Sequence, residues 1–200
     1  PYNYVEIGER NFVAKEPLKS PQRRTLTKRL VQEAMLELLK SRSIQNITVR
    51  ELCDVAGINR TTFYNHYDGV YEVLSEIEEH FLNQLSEQDK ISSEQGSLEQ
   101  HIESLCQQLK QNRDIALLLL ANNADPNFST KLIKVQEYST VWQKAIRTYP
   151  TEERELLLGF VSGGAYTMVL RWLENGCRQS PKQLASLVAG VMQNGIELKL

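Results

Sequence analysis

Apolar residues recur at three- to four-residue spacing along most of the chain, and this pattern predicts an all-α protein. Leu26, Leu30, Ala34 and Leu38 stand four residues apart and begin the series. Such spacing places apolar side chains on one face of an amphipathic helix. Similar stripes follow downstream, with several between 98 and 149. The longest predicted helices cover about 26–41, 69–87, 152–175 and 181–198.

Polar and turn-forming residues divide the chain into modules. Residues 1–24 mix aromatic residues, glycine and proline without a period, which predicts an extended or disordered arm. The arm ends in two arginines, so it lies on nucleic acid or extends into solvent as a charged tail. Residues 88–97 are polar and contain glycine, as is typical of a boundary. The sequence therefore predicts a first module at 25–70, a connector helix at 69–87 and a second module at 98–200.

Within the first module, residues 48–67 carry the signals of two short helices joined by a tight turn. Thr48 followed by Glu51 forms the capping-box pattern of a helix start. Gly57 provides the positive φ angle of a sharp helix end, and Asn59 is a suitable N-cap for the next helix. Leu52 and Val55 are expected to point inward. This arrangement predicts a helix-turn-helix, the layout of many DNA-reading domains.

The second of these helices, predicted over 59–67, combines a buried Phe63 with a polar outer arc. An α-helix fits the major groove, where base edges are read by hydrogen bonds and by contact with the thymine methyl group. Arg60 suits guanine or phosphate, Asn65 suits adenine, and Tyr64 and His66 suit phosphate oxygens. Plain solvent exposure is the alternative for each residue alone. The candidate DNA-binding residues are Arg50, Arg60, Thr61, Thr62, Tyr64, Asn65 and His66.

The uneven distribution of charge supports a polyanion partner for the first module only. The whole chain has a formal net charge of −2. Residues 18–67 contain nine Lys/Arg against four Asp/Glu, whereas residues 68–200 contain 12 against 18. A basic N-terminal third on an acidic remainder is the expected footprint of a double-stranded DNA partner for that third.

Residues 26–74 resemble the N-terminal domain of TetR-family transcriptional regulators. The matching segments are TVREL at 48–52, AGIN at 56–59 and TTFYNHY at 61–67, of which the final Tyr-Asn-His-Tyr is the most specific. The resemblance implies an all-helical homodimer that reads a palindromic operator through the residues named above. One position departs from the family pattern. Val70 stands where a lysine commonly meets a phosphate, so one expected DNA contact is missing.

The same resemblance implies that the second module binds an effector and dimerises. The helices near 152–175 and 181–198 would form a four-helix bundle with a second copy, although their apolar faces are also compatible with a monomer core. The effector is either a small molecule, as in a ligand-responsive repressor, or a partner protein. Ordinary core packing is the alternative for each candidate pocket residue. These candidates are Cys106, Leu109, Arg113, Leu117, Tyr138, Trp142, Phe160 and Tyr166.

Other classes of function find no support in the sequence. Three widely spaced cysteines without a CxxC pair argue against disulfides or a zinc site and suit the reducing cytoplasm. His80 has no second histidine or cysteine at ligand spacing, so we expect no metal. The longest wholly apolar run, 115–121, is far shorter than the ~18 residues of a membrane helix, and no secretory signal is visible. Glycine-rich phosphate loops and catalytic motifs are absent from the sequence, so we expect neither an enzyme nor a cofactor.

Overall fold

Helices form the secondary structure of the part of the chain that the computed structural model describes, namely residues 20–93, 97–120, 125, 127–137 and 150–196. Among these residues there is no strand, as the spacing of apolar residues predicted. The helices are α1 (Ser20–Leu39), α2 (Val49–Ala56), α3 (Arg60–Tyr64), α4 (Val70–Ser93), α5 (Leu98–Gln111), α6 (Arg113–Leu120), α7 (Phe128–Glu137), α8 (Thr151–Glu174) and α9 (Pro181–Ile196), with a 3₁₀ turn at Ile44–Asn46.

Helices α1 to α3 form a small unit, here called the head. Phe63 of α3 is fully buried, as are Met35 and Leu39 of α1 and Leu52 of α2. Fully burying an aliphatic or aromatic side chain of this kind stabilises a fold by roughly 1.5–3 kcal/mol. This shared core therefore anchors α3 within the head.

The first helix begins at Ser20, six residues before the predicted start, so the end of the predicted arm is helical. The presence of Pro21 favours an irregular segment in the sequence, but proline also fits the first turn of a helix, where its missing N–H costs nothing. Residues 21–25 are all exposed and therefore carry no apolar period that could reveal the helix. Residues 1–19 of the predicted arm lie outside the described residues.

The buried stripe of α2 differs from the prediction at one position. Leu52, Cys53 and Ala56 are buried, whereas Val55 is 50% exposed. The expectation that Val55 points inward is wrong, because an inward stripe through 49, 52, 53 and 56 leaves position 55 on the side of the helix.

Helix α4 connects the head to the remaining helices and extends beyond the predicted boundary. It ends at Ser93, so most of the predicted linker at 88–97 is helical. Polar residues without glycine or proline are compatible with a helix, and the polarity of 88–93 was therefore a poor signal of its end. The next helix starts where Ser97 and Gln100 form a capping box.

Helices α5 to α9 form a second unit, here called the body. Helix α5 lies along α9, and α8 packs against α6, α7 and α9. The body core contains fully buried Leu109, Phe128 and Leu173. Helix α4 contacts α1 on one side and α5 and α7 on the other. The connector thus touches both units, and α1 of the head also contacts α6 of the body directly.

Candidate nucleic-acid interface and interior cavity

The turn between α2 and α3 has the predicted local geometry. The Thr48 side chain accepts a hydrogen bond from the Glu51 amide (3.2 Å), and a Glu51 carboxylate oxygen accepts one from the Thr48 amide (3.1 Å). Gly57 adopts φ = 66°, which is strained for residues with a Cβ atom. Asn59 accepts a hydrogen bond from the Thr62 amide at 2.7 Å and so caps α3.

Helix α3 presents polar side chains to solvent around a single buried anchor. Phe63 is fully buried, while Arg60, Thr61, Tyr64 and Asn65 are exposed. Arg50 on α2 has 75% of its side chain exposed, and its ion pair with Asp54, at 3.9 Å, is correspondingly weak. Arg50 and Arg60 place exposed hydrogen-bond donors near the N-termini of α2 and α3, which gives the head a surface suited to phosphate and base edges.

Two of the predicted DNA-binding residues are less accessible than their neighbours. Thr62 and His66 are half-buried, and the Nδ1 atom of His66 is enclosed without a hydrogen-bond partner. The regular helix ends at Tyr64, earlier than the predicted Tyr67, although the His66 and Tyr67 amides still donate to the Phe63 carbonyl at 2.9 and 3.0 Å. The Nδ1 atom of His66 is therefore not available for the predicted phosphate contact.

A polar network beneath α3 holds the head to the connector. Glu76 of α4 accepts hydrogen bonds from Lys28 Nζ (2.6 Å), Tyr67 Oη (2.6 Å) and Gln32 Nε2 (3.1 Å). Burial alone would raise the pKa of Glu76, but these donors outweigh it and lower the pKa below the usual value. The sequence analysis missed this network, because Lys28 and Gln32 lie 48 and 44 residues from Glu76 and leave no local pattern. Its charge-assisted bonds fix the segment that follows the reading helix.

The body contains a partly open cavity of about 70 Å³ between α5, α6, α7, α8 and α9. Three polar side chains, His101, Ser162 and Tyr166, stand on its otherwise apolar wall. The Tyr166 hydroxyl donates to the Leu120 carbonyl at 3.0 Å, and burial raises its pKa. No Asp, Glu, Lys or Arg is among the described residues that line the cavity. The lining residues are His101, Ile102, Leu105, Leu109, Leu120, Leu132, Ser162, Ala165, Tyr166, Val169, Val188 and Met192.

Of the eight candidate pocket residues, Leu109 and Tyr166 line this cavity. Cys106 is fully buried behind it, where burial raises the thiol pKa to about 12. Leu117 packs against the core, and Arg113 donates from Nε to the Leu173 carbonyl at 2.8 Å.

The prediction that Phe160 lines the pocket is wrong, because Phe160 is 77% exposed on the opposite face of α8. A repeating apolar pattern does not show which face of a helix turns inward. Tyr138 and Trp142 lie outside the described residues.

Large apolar side chains are exposed on α8 and α9. Leu156 and Phe160 are 76% and 77% exposed, and Leu187 and Val191 are 57% and 55% exposed. Each pair is spaced four residues apart and therefore lies on one helix face. The segment Glu152–Glu174 is also long and apolar enough to cross a membrane, judged by length and composition alone. Within the part of the chain that the structure describes, no three His, Cys, Asp or Glu side chains gather as a metal site.

Comparisons with known proteins agree with this architecture. Residues 96–194 match the family model TetR_C_8, described as a transcriptional regulator C-terminal region. A stretch of 47 residues is 36% identical to the uncharacterized HTH-type transcriptional regulator YxbF of Bacillus subtilis. This stretch is 24% of the chain, and it covers only 12% of that protein.

Solved structures show the same fold. A TetR transcriptional regulator from Streptococcus agalactiae superposes with a TM-score of 0.69 at 22% identity, covering 86% of this chain and 96% of its own. The regulator FadR from Bacillus subtilis, solved in complex with stearoyl-CoA, gives 0.59 at 14% identity, covering 84% and 98%. The body matches the family model and the whole chain matches the fold, so the chain belongs to the TetR family of transcriptional regulators.

Proposed function

We propose that the chain is a sequence-specific DNA-binding regulator that acts as a homodimer on a palindromic operator. The observation that carries this proposal is the capped α2-turn-α3 unit, with its exposed arc of Arg60, Thr61, Tyr64 and Asn65 beside Arg50. Phosphate contacts set the position of such a helix, and contacts with base edges supply its specificity. Operator sequence is read by Arg60 and Asn65, while Arg50 and Tyr64 bind phosphates.

Dimerisation is supported by the apolar side chains exposed on α8 (Leu156, Phe160) and on α9 (Leu187, Val191). Large apolar side chains exposed four residues apart on one helix face mark an interaction site. A second copy related by two-fold symmetry packs the same surface of its own α8 and α9 against these side chains, which yields a four-helix bundle. Burial in this interface explains why residues 152–174 are apolar and does not require a membrane. Two heads then reach major grooves roughly 34–36 Å apart, or further.

The effector is a compact, uncharged and largely apolar molecule that occupies the body cavity. Nine of the 12 described lining residues are apolar, and a charged group placed among them would lose hydration without an opposite charge. The cavity of about 70 Å³ takes a small apolar group, and it has no basic side chain among its described lining residues to meet the phosphates of a ligand such as the stearoyl-CoA bound to FadR from Bacillus subtilis. His101, Ser162 and Tyr166 supply hydrogen bonds to one polar group of the ligand.

The proposed sign of regulation rests on the state of the head. In the chain alone, α3 is capped, anchored and exposed, which supports DNA binding without an effector. An effector that prefers another head spacing releases the operator, as a ligand shifts an equilibrium only by its difference in affinity for two states. We therefore propose a ligand-released repressor.

The DNA-binding proposal is tested by fluorescence anisotropy with the DNA upstream of the gene, at several salt concentrations. Affinity should fall steeply with salt, by a slope of about −0.9 per phosphate neutralised. Arg60→Ala should lose discrimination between operator and random DNA, whereas Arg50→Ala should weaken both. Arg171→Ala on α8 removes an arginine whose side chain is also 75% exposed, and it should change neither. Unchanged affinity in both head variants contradicts the assignment.

The effector is tested by thermal shift with compact uncharged apolar compounds. Ala165→Leu, which fills the cavity wall, should abolish the shift, whereas Thr167→Leu on the exposed side of the same helix should retain it. The competing proposal is an effector protein that docks on the body. Capture of a defined partner that alters DNA binding, with no compound giving a shift, would replace the small-molecule proposal.

A further inference from the structure

A second cavity lies where the head meets the body. It is a partly open cleft of about 270 Å³ between the 3₁₀ turn of the head, helix α4 and the start of α7. Its described lining residues include none of those that line the body cavity, so the two are separate sites. Pockets for drug-sized ligands hold roughly 300–1,000 Å³. The cleft is therefore suited to a smaller molecule, with one ring or a short chain.

The described lining of the cleft carries a net negative charge. Glu78 of α4 and Asp125 contribute two carboxylates, and Lys131 of α7 contributes one ammonium group. Lys131 Nζ lies 2.7 Å from Glu78 Oε2 and 2.9 Å from Asp125 Oδ2, so it already serves both carboxylates. One negative charge is left over within this lining. The cleft therefore attracts a cation and repels an anion.

Glu78 has an acceptor atom that this ion pairing leaves unused. Only 2% of its side chain is exposed, and its Oε1 atom has no hydrogen-bond partner among the described residues. Burial raises the pKa of this carboxyl in spite of the bond from Lys131, which means that one donor does not compensate for the lost hydration. The terminal torsion of a glutamate side chain is soft, so rotation of the carboxylate turns Oε1 toward the cleft that Glu78 lines. A second donor entering the cleft would complete the hydrogen bonding of a buried charge.

The remaining walls of the cleft are partly polar and partly apolar. The Ser75 hydroxyl and the Gln45 amide oxygen are further acceptors. Buried Ile44 and Leu74 provide apolar surface, and Tyr71, which is 60% exposed, provides an aromatic ring. An aromatic face attracts cations as well as apolar groups. These walls suit a ligand that combines a positive charge with a small organic body.

We propose that this cleft binds a small organic ammonium compound. Its charged nitrogen donates to Glu78 Oε1, and its aromatic or short aliphatic body packs against Leu74 and Tyr71. A divalent metal ion fits less well, since it requires several oxygen ligands and no three His, Cys, Asp or Glu side chains gather in the part of the chain that the structure describes. This site goes beyond the proposed DNA-binding function and does not depend on it.

Isothermal titration calorimetry of the full chain with 2-phenylethylamine, which is protonated at neutral pH, tests the proposal. We expect saturable binding of one amine per chain. The neutral 2-phenylethanol and the anionic 3-phenylpropionate should bind roughly tenfold more weakly or less, because a hydrogen bond to a charged group contributes at least that factor. Glu78→Gln should lower the amine affinity by a similar factor. The matched control, Glu79→Gln, removes an exposed carboxylate from the same helix and should not change it.

Two further variants locate the site and keep the test valid if Glu78→Gln fails to fold. Ser75→Leu fills the cleft without changing its charge and should abolish amine binding, whereas Ala165→Leu, in the wall of the body cavity, should preserve it. Circular dichroism checks that each variant is folded. The proposal is overturned if the amine shows no saturable binding, if the alcohol binds equally well, or if binding survives in the folded Ser75→Leu variant. Loss of binding in Ala165→Leu also overturns it, whereas absence of operator binding contradicts only the DNA-binding proposal.

Discussion

Substitution of Phe160 by glutamate should convert the dimer into a folded monomer. The side chain is 77% exposed within one chain, next to Leu156 at 76%, so its replacement costs the isolated chain little. The proposed dimer would bury each copy of Phe160, and full burial of such a side chain is worth about 1.5–3 kcal/mol. Two copies contribute about 3–6 kcal/mol, which corresponds to a dissociation constant raised about 10²- to 10⁴-fold.

Analytical ultracentrifugation over a range of concentrations measures this change, and circular dichroism checks that the monomer stays folded. Operator affinity should fall together with dimerisation, since one head contacts only half of a palindrome. Glu155→Ala, an exposed position about 140° away on α8, is the control and should remain dimeric. A Phe160→Glu protein that dimerises with the wild-type constant would show that this face is not the interface and would refute the reasoning.

Three further predictions address the head. Thr48→Ala removes the capping box of α2 and should lower the free energy of unfolding by about 1 kcal/mol while weakening operator binding. Ser97→Ala, which removes the equivalent cap of α5, should destabilise the chain without that loss of affinity. Equal losses of operator affinity in both variants would contradict a local role of the Thr48 cap. The lowered pKa of Glu76 means that its contribution to stability is present above pH 4.5 and is lost as pH falls through the lowered value. Glu76→Gln should therefore lower the denaturation midpoint at pH 7, and its difference from wild type should shrink below about pH 4.5; a constant difference would exclude this linkage. Val70→Lys, at the first residue of α4, should strengthen operator binding and steepen its salt dependence by about 0.9 per subunit, whereas Val70→Gln should not; an unchanged slope would show that position 70 does not reach a phosphate.

Local signals in the sequence were sufficient for the reading unit. Thr48, Gly57 and Asn59 act through hydrogen bonds and backbone angles within a few residues, so their residue types identified the caps and the turn. The same locality explains the errors at helix ends. Residues 21–25 and 88–93 lack an apolar stripe, and a helix without a buried face has no period to detect.

The candidate cavity was less accessible to prediction from the sequence. Leu109, Tyr166 and Phe160 all belong to apolar helical stripes, yet the first two line the cavity and the third is exposed. Helices α8 and α9 are apolar on more than one side, since one side meets the core of the chain and another exposes Leu156, Phe160, Leu187 and Val191. The spacing of apolar residues indicates that a helix has an apolar face, but it does not show which part of the molecule, or which partner, packs against that face.

The sequence by itself determined the helical class, the capped helix-turn-helix and the polar arc on α3, since each depends on neighbours within one or two turns. Only the tertiary structure decided which faces are buried, where the cavity lies and how the head is joined to the body. Glu76 meets Lys28 across 48 residues, and Glu78 meets Lys131 across 53. A charged residue on a helix has the same sequence signal whether it faces water or a partner. Only folding, by bringing distant helices together, distinguishes a solvated glutamate from one that holds the reading head in place.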